Sequence, residues 1–146
     1  SGTGLLKLLG IPAIALAATR SLSAAALIGL SANAVNQLDT RPGRALKAFL
    51  LGACVLRGPA QAYAVGAVVL LPYDLREMAM LGDGGSNLLG AVLGFGSVER
   101  FTGTRRLALI AGLGALTALG ETRSLGALTE RTPLVSSLDR LGRRPA

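Results

Sequence analysis

Histidine is absent from the 146-residue sequence, and cysteine occurs only at Cys54. Catalysis by an imidazole and metal coordination by histidine are therefore excluded within this sequence. A single cysteine also excludes an internal disulfide. Cys54 lies within an apolar run, so we interpret it as a packing residue and not as a nucleophile.

Charged and aromatic residues are also scarce. Charged residues make up 16% of the chain, aromatic residues 3%, and tryptophan is missing. Hydrophobic residues make up 51%, and the mean hydropathy is +0.53. Because soluble domains average about a quarter charged residues, this composition favours an integral membrane protein, although one with a weak aromatic belt.

The net charge of +7 does not indicate a nucleic-acid partner. The basic residues lie between apolar runs instead of on one polar face, and no nucleic-acid-binding motif is present. In a membrane protein the same charges set the topology and contact anionic lipids.

The uncharged stretches predict six helices, near residues 5–19, 21–37, 45–57, 59–74, 86–99 and 106–121. Most of these stretches are shorter than the roughly 20 residues that cross a bilayer, but lysine and arginine at their ends can extend them by snorkelling. We therefore expect an all-α, polytopic membrane bundle of about six transmembrane helices over residues 1–121. A cytoplasmic basic tail is expected over residues 122–146. The alternative is a soluble all-α bundle, which would need polar helix faces that are missing here.

The distribution of basic residues predicts an orientation. If the helices alternate across the membrane, ten of the 15 lysines and arginines fall on the side of Lys7 and five on the other. The side with more positive charge is expected to be cytoplasmic. The prediction is a multi-pass protein of the plasma membrane. Small residues at Gly90 and Gly94, and at Gly112 and Gly114, are candidates for close helix contacts.

The first acidic segment, residues 33–43, places two asparagines and a carboxylate at regular spacing. Asn33, Asn36 and Asp39 are spaced by three, so they lie roughly on one face at the end of a helix. Such a surface can hydrogen-bond a ligand and share a metal. Gly43, after Pro42, ends the helix and allows backbone to approach a ligand. The alternative is a polar cluster that only meets solvent.

The second acidic segment, residues 80–87, is rich in glycine. Asp83 is followed by Gly84, Gly85, Ser86 and Asn87, and then by an apolar helix. The glycines permit close approach of backbone, and the N-terminus of the helix favours anions. Asp83 is therefore predicted to be a metal ligand, an N-cap, or both. A P-loop is not supported, because its Lys-Ser/Thr element is missing.

Together these segments resemble two signature motifs of the polyprenyl-phosphate sugar-1-phosphate transferases (glycosyltransferase family 4). This membrane family includes the phospho-MurNAc-pentapeptide transferase and the UDP-GlcNAc:undecaprenyl-phosphate GlcNAc-1-phosphate transferase. The resemblance extends over most of residues 5–140. The matching residues are Asn33-x-x-Asn36-x-x-Asp39-x-x-x-Gly43 and Leu81-Gly82-Asp83-Gly84-Gly85-Ser86.

The resemblance implies a Mg²⁺-dependent enzyme of cell-wall or surface glycan biosynthesis. Such an enzyme transfers a sugar-1-phosphate from a UDP-sugar to a polyprenyl phosphate and releases UMP. It implies that Asp39 and Asp83 are catalytic, that Asp83 ligands Mg²⁺, and that the active face is cytoplasmic. The residues that it implies for substrate binding are Asn33, Asn36, Gly82, Gly84, Ser86 and Asn87.

The chain also departs from the family pattern. The paired-aspartate motif of the family is missing, and Gly4–Leu9 resembles the residues that follow it. We therefore expect the C-terminal portion of such an enzyme, or a shortened homologue. The histidine loop of the family corresponds to residues 133–143, which contain no histidine. Arg140, Arg143 and Arg144 are the residues that could make phosphate contacts in its place. Thr40 replaces the glycine that usually follows this aspartate.

Without those two motifs, turnover by this chain alone is an open question. One alternative is a non-catalytic membrane protein that binds polyprenyl phosphate or a nucleotide sugar. Another is a small transporter-like bundle whose carboxylates couple ions. A homodimer is an open alternative to a monomer.

Overall fold

The computed structural model describes residues 2–56 and 58–122, and these ranges contain helices joined by short turns, without any strand. The predicted all-α class and the six predicted helices are confirmed. In chain order the helices are α1 (Gly2–Thr19), α2 (Leu22–Leu38), α3 (Arg44–Val55), α4 (Pro59–Leu75), α5 (Gly82–Arg100) and α6 (Gly103–Thr122).

Small residues and proline set the helix ends. The Ser21 hydroxyl caps α2 by accepting the Ala24 N–H at 3.4 Å. Gly43, with φ of 74°, precedes α3, and Pro59 occupies the first turn of α4. The breaks predicted near Gly43 and Pro59 are therefore confirmed.

Helix α5 begins at Gly82 and not near residue 86 as predicted, so it includes Gly84 and Gly85. Two side chains of the following turn stabilise this earlier start by hydrogen bonds. Asn87 Nδ2 donates to the carbonyl of Asp83 at 2.7 Å, and the Ser86 hydroxyl lies 2.9 Å from the carbonyl of Gly82. These hydrogen bonds hold the first turn, although glycine is a weak helix former.

Helices α2 and α5 form the largest interface that the structure describes, and they run antiparallel. A Cβ placed on Gly90 would lie 2.5 Å from Ala32 Cα, and one on Gly94 would lie 2.6 Å from Ile28 Cα. Only glycine fits at such distances. The predicted role of Gly90 and Gly94 in close helix packing is confirmed.

The expectation for Gly112 and Gly114 is wrong, because no atom lies within 4 Å of a Cβ placed on either residue. Helix α6 packs against α2, and its first turn also contacts the end of α5. Arg106 donates to the carbonyl of Val98 at 2.7 Å and lies 3.4 Å from the Ser23 hydroxyl. The guanidinium thus closes the end of α5 and links it to the start of α2.

Helix α4 packs through one narrow stripe. Its buried residues Ala60, Ala67 and Asp74 are spaced by seven and face the rest of the bundle. Leu46 and Phe49 of α3, both fully buried, form the core beside it. The large side chains that α4 leaves exposed are Tyr63, Val65, Val68, Val69, Leu70 and Tyr73.

The six expected transmembrane helices are not found in the described ranges, where no helix combines the length and the apolar character needed to cross a bilayer. Helix α3, for example, has 12 residues, which span about 18 Å at 1.5 Å per residue. The tail predicted over residues 122–146 lies outside the described residues, except for Thr122.

Candidate functional site at one end of the bundle

The alternating direction of the helices brings the two acidic segments to one end of the bundle. Asp39 is the C-cap of α2, and Asp83 lies in the first turn of α5. Since α2 and α5 are antiparallel neighbours, the end of one lies beside the start of the other. This end also carries the C-terminus of α4 and the N-terminus of α3, which are joined to each other through Asp74 and Gly43.

A hydrogen bond between side chains links the two segments directly. The hydroxyl of Ser86, which is fully buried, donates to Asn36 Oδ1 at 2.8 Å. The same hydroxyl is 2.9 Å from the carbonyl of Gly82, so its one proton serves either oxygen. The structure thus brings Asn36 into contact with Ser86, which lies 50 positions later in the sequence. Ser86 in turn lies close to the carbonyl of Gly82.

Asn33 faces a different neighbour. Its Nδ2 donates to Thr117 Oγ1 of α6 at 3.2 Å, and Gln37 Nε2 donates to the Thr117 carbonyl at 3.4 Å. All three amides of the first acidic segment therefore make contacts between helices: Asn36 contacts α5, whereas Asn33 and Gln37 contact α6. Thr117 is a residue that the sequence did not indicate.

Asp39 stands in a negative electrostatic environment. Partial burial raises the pKa of its carboxyl above the ordinary value of 3.8, and the nearby charges of Asp74 and Asp83 raise it further. The end of the bundle therefore carries three carboxylates, and the charges of Asp74 and Asp83 both disfavour ionisation of Asp39.

Asp83 is exposed at the same end. It is not the N-cap of α5, since the cap position belongs to Leu81, and Gly82 begins the helix with φ of 65°. A Cβ placed on Gly84 would meet no atom within 4 Å, so the space beside this residue is open. A ligand can approach the backbone of α5 there.

Asp74 is a site residue that sequence reasoning missed. It is 6% exposed, and its Oδ2 accepts the backbone N–H of Gly43 at 2.6 Å. Gly43 itself packs against the side chain of Leu75. The prediction that Gly43 lets backbone approach a ligand is therefore wrong, because α4 occupies that space.

Arg44 is a second missed residue. The sequence suggests a flanking residue that reaches toward the membrane surface, but Arg44 is 6% exposed and its Nη1 donates to Thr40 Oγ1 at 3.1 Å. Two signals in the sequence could have pointed to these residues. Asp74 falls seven residues after Ala67 on the buried stripe of α4, and Arg44 directly follows a glycine turn.

An apolar groove opens beside the second acidic segment. It has a volume of about 620 Å³ and lies between α1, α4 and α5. Gly84 and Asn87 form its edge nearest to Asp83, and the remaining walls are almost entirely apolar. The other lining residues are Ile11, Ile14, Ala15, Ala18, Ile28, Pro59, Tyr63, Leu88, Ala91, Val92 and Phe95.

Within residues 2–56 and 58–122, no group of three or more Asp, Glu, His or Cys side chains is arranged to hold a metal ion. This does not conflict with the expected use of Mg²⁺, which is commonly bound through one or two carboxylates, water and substrate phosphates. Asp83 and Asp39 are the carboxylates suited to that role. Arg140 and Arg143 lie outside the described residues.

Comparison of the chain with protein-family models, with curated proteins and with solved structures finds no match. The functional interpretation therefore depends on the two motifs and on the geometry at this end of the bundle.

Proposed function

We propose that this chain is the C-terminal part, or a shortened homologue, of a Mg²⁺-dependent phosphoglycosyl transferase. The reaction would transfer a sugar-1-phosphate from a UDP-sugar to a polyprenyl phosphate. One observation carries the proposal: two segments that each resemble a family motif meet at one end of the bundle, where the Ser86 hydroxyl donates to Asn36 Oδ1 at 2.8 Å.

The two carboxylates have different parts in this proposal. Asp83 is exposed and would hold Mg²⁺ together with the diphosphate of the UDP-sugar. When bound, Mg²⁺ neutralises the diphosphate and stabilises the leaving phosphate. Asp39 adds negative charge at the same end and would orient the metal–diphosphate through its fixed position at the end of α2.

The attacking group is an oxygen of the lipid phosphate. Because a phosphate is ionised at neutral pH, it needs orientation more than it needs a strong general base. The apolar groove supports this step, since its edge at Gly84 and Asn87 lies next in sequence to Asp83. A prenyl chain in the groove would hold its phosphate near the proposed metal.

Apolar outer surfaces support a membrane setting. The large hydrophobic side chains of α4 remain exposed, Val65 to 69% and Val69 to 62%, and Ile14 of α1 is 72% exposed. Contiguous apolar surface of this kind marks contacts with lipid or with another protein. We propose a multi-pass protein of the plasma membrane with the acidic end at the cytoplasmic face. Retention in the membrane fraction after a carbonate wash supports this location, and release into plain buffer contradicts it.

The proposed activity is tested by a transfer assay. A radiolabelled UDP-sugar, polyprenyl phosphate and Mg²⁺ are incubated with this chain and, separately, with the full natural gene product. We expect labelled lipid to form with the full gene product, and none to form in EDTA. The absence of labelled lipid over a panel of UDP-sugars would contradict the enzyme proposal. Binding of UDP-sugar without transfer would favour the non-catalytic alternative.

A further inference from the structure

Asp74 is a buried acid that the proposed reaction does not use. Its side chain is 94% buried, as its 6% exposure shows, and it lies at the end of α4 on the same stripe as Ala60 and Ala67. An ionised carboxylate in such a position is unfavourable unless it accepts hydrogen bonds. The contact that the structure gives is the N–H of Gly43, at 2.6 Å from Oδ2.

The turn that receives this contact connects α2 to α3 and begins with Asp39. Its hydrogen bonds are short-range: the N–H of Asp39 donates to the carbonyl of Asn36 at 3.1 Å, and the N–H of Thr40 donates to the carbonyl of Leu38 at 2.8 Å. Pro42 has no N–H to contribute. The N–H of Arg44 also donates to the carbonyl of Arg41 at 3.2 Å. These bonds restrain the turn from within, whereas the contact with Asp74 ties it to α4.

Gly43 is the point at which the turn meets α4. Its φ of 74° directs the N–H toward Asp74, and the side chain of Leu75 fills the space where a Cβ would stand. Asp74 thus holds the turn by a hydrogen bond, and Leu75, the next residue of α4, holds it by packing. A buried N–H without an acceptor is unfavourable, so this contact selects one conformation of the turn.

We propose that Asp74 is a positioning residue that, by accepting the Gly43 N–H, holds the turn from Asp39 to Gly43 and so fixes Asp39 relative to Asp83. The consequence for catalysis rests on the proposed transferase function, but the effect on the turn does not. Asp74 touches no substrate in this proposal. It acts through the backbone of the turn.

The test uses the full natural gene product with Asp74→Asn, Asp74→Ala and the control Glu77→Gln. Asparagine keeps an oxygen that can accept the Gly43 N–H, whereas alanine removes it. Glu77 is exposed at the same end of α4, so its variant removes a charge without touching the turn. Exchange of the Gly43 amide with solvent is followed by NMR after labelling with ¹⁵N-glycine, alongside kcat and KM for the UDP-sugar.

We expect Asp74→Ala to accelerate exchange at Gly43 by at least about tenfold, while the amide of Gly52, within α3, changes little. It should lower kcat more than it raises KM, because the misplaced Asp39 affects the reacting geometry. Asp74→Asn and Glu77→Gln should stay within about threefold of the wild type in both measurements.

Two results would overturn the proposal. One is an unprotected Gly43 amide in the wild type, a measurement that needs no variant to fold. The other is an equal loss of kcat in Asp74→Asn and Asp74→Ala, which would assign the effect to charge. If the wild type transfers no sugar, the transferase function fails, and the exchange rates still decide whether Asp74 holds the turn.

Discussion

The two acidic segments meet at one end of the bundle but are built in opposite ways. The first ends a helix, and its turn is restrained by Asp74, so that Asp39 is partly buried in a fixed position. The second begins a helix, and there Asp83 is exposed beside the open space at Gly84. The contrast agrees with the division of roles in the proposed function, in which Asp39 has a fixed position and Asp83 is the accessible metal ligand.

Helix packing is what makes these two segments act together. The close approach of α5 to α2 at Gly90 sets the register in which Ser86 reaches Asn36. The contrast between the two segments can therefore be tested at three places. They are the exposed carboxylate of Asp83, the close contact at Gly90, and the hydrogen bond between Asn36 and Ser86. The partial burial of Asp39 is tested by the effect of Asp39→Asn on the free energy of unfolding at different pH values.

The largest effect is expected from Asp83→Asn, which keeps the shape of the side chain and removes its charge. In the full natural gene product, transfer activity should fall by several orders of magnitude, because a lost metal ligand removes several kcal/mol of charge stabilisation. Thermal unfolding should change little, since Asp83 is exposed. Glu99→Gln, at the other end of α5, is the control. Normal turnover by Asp83→Asn would show that the exposed carboxylate is only structural.

Gly90→Ala tests the contact that aligns the segments, with Gly112→Ala as its matched control. Alanine favours a helix over glycine by about 1 kcal/mol at either position. At Gly90 the new methyl group would meet the backbone of α2, and overpacking costs about 1–3 kcal/mol. We expect the upper part of that range, because backbone cannot move aside as a side chain can. Chemical denaturation should show Gly90→Ala less stable, and Gly112→Ala equally or more stable than the wild type. Equal effects of the two variants would contradict the close contact.

The hydrogen bond between Asn36 and Ser86 should contribute a smaller energy. In a double-mutant cycle with Asn36→Ala and Ser86→Ala, we expect a coupling of about 0.5–1.5 kcal/mol in the free energy of unfolding. Asn33→Ala combined with Ser86→Ala is the control pair, because Asn33 contacts α6 instead. Additive effects of Asn36→Ala and Ser86→Ala would mean that the bond does not stabilise the folded chain.

The smallest effect concerns the pH dependence of Asp39. Because burial and the charges of Asp74 and Asp83 raise its pKa in the folded protein, its contribution to stability is full below 3.8 and is lost as the pH rises through the raised pKa. Asp39→Asn has no carboxyl to ionise, so the variant does not lose this stability as the pH rises. In EDTA at pH 7 the variant should have a larger free energy of unfolding than the wild type, and the difference should disappear below about pH 3.8. A difference that grows in acid would contradict the raised pKa.

Local pattern was sufficient to predict much of the fold. The uncharged runs predicted six helices, and the four-residue spacing of Gly90 and Gly94 predicted a close helix contact. Both predictions were possible because helix formation and the face on which a residue lies are set by residues close together in the sequence. The contacts of Asp74 with Gly43, and of Asn33 with Thr117, join residues that are 31 and 84 positions apart. Such pairings depend on how α4 and α6 dock, which no local pattern specifies.

The errors in prediction have physical causes. The helix predicted to begin near residue 86 begins at Gly82, and the side chains of Ser86 and Asn87 hydrogen-bond the carbonyls of Gly82 and Asp83 in its first turn. The membrane-crossing helices that composition predicts stay a prediction, and none of the helices in the described ranges has the length and apolar character of a span. Mean hydropathy averages over the chain, whereas a span requires one continuous segment.

A shared metal–diphosphate site between Asp39 and Asp83 is most directly tested by metal affinity. Mn²⁺ can replace Mg²⁺ and be followed by EPR with the full natural gene product and a UDP-sugar, in the wild type, Asp39→Asn, Asp83→Asn and the double variant. A shared site predicts that each single variant weakens Mn²⁺ binding, Asp83→Asn by tenfold or more, which is about 1.4 kcal/mol, and that the two effects are not additive. Mn²⁺ affinity that is unchanged in Asp39→Asn, or that falls additively in the double variant, would show that the two carboxylates serve separate sites.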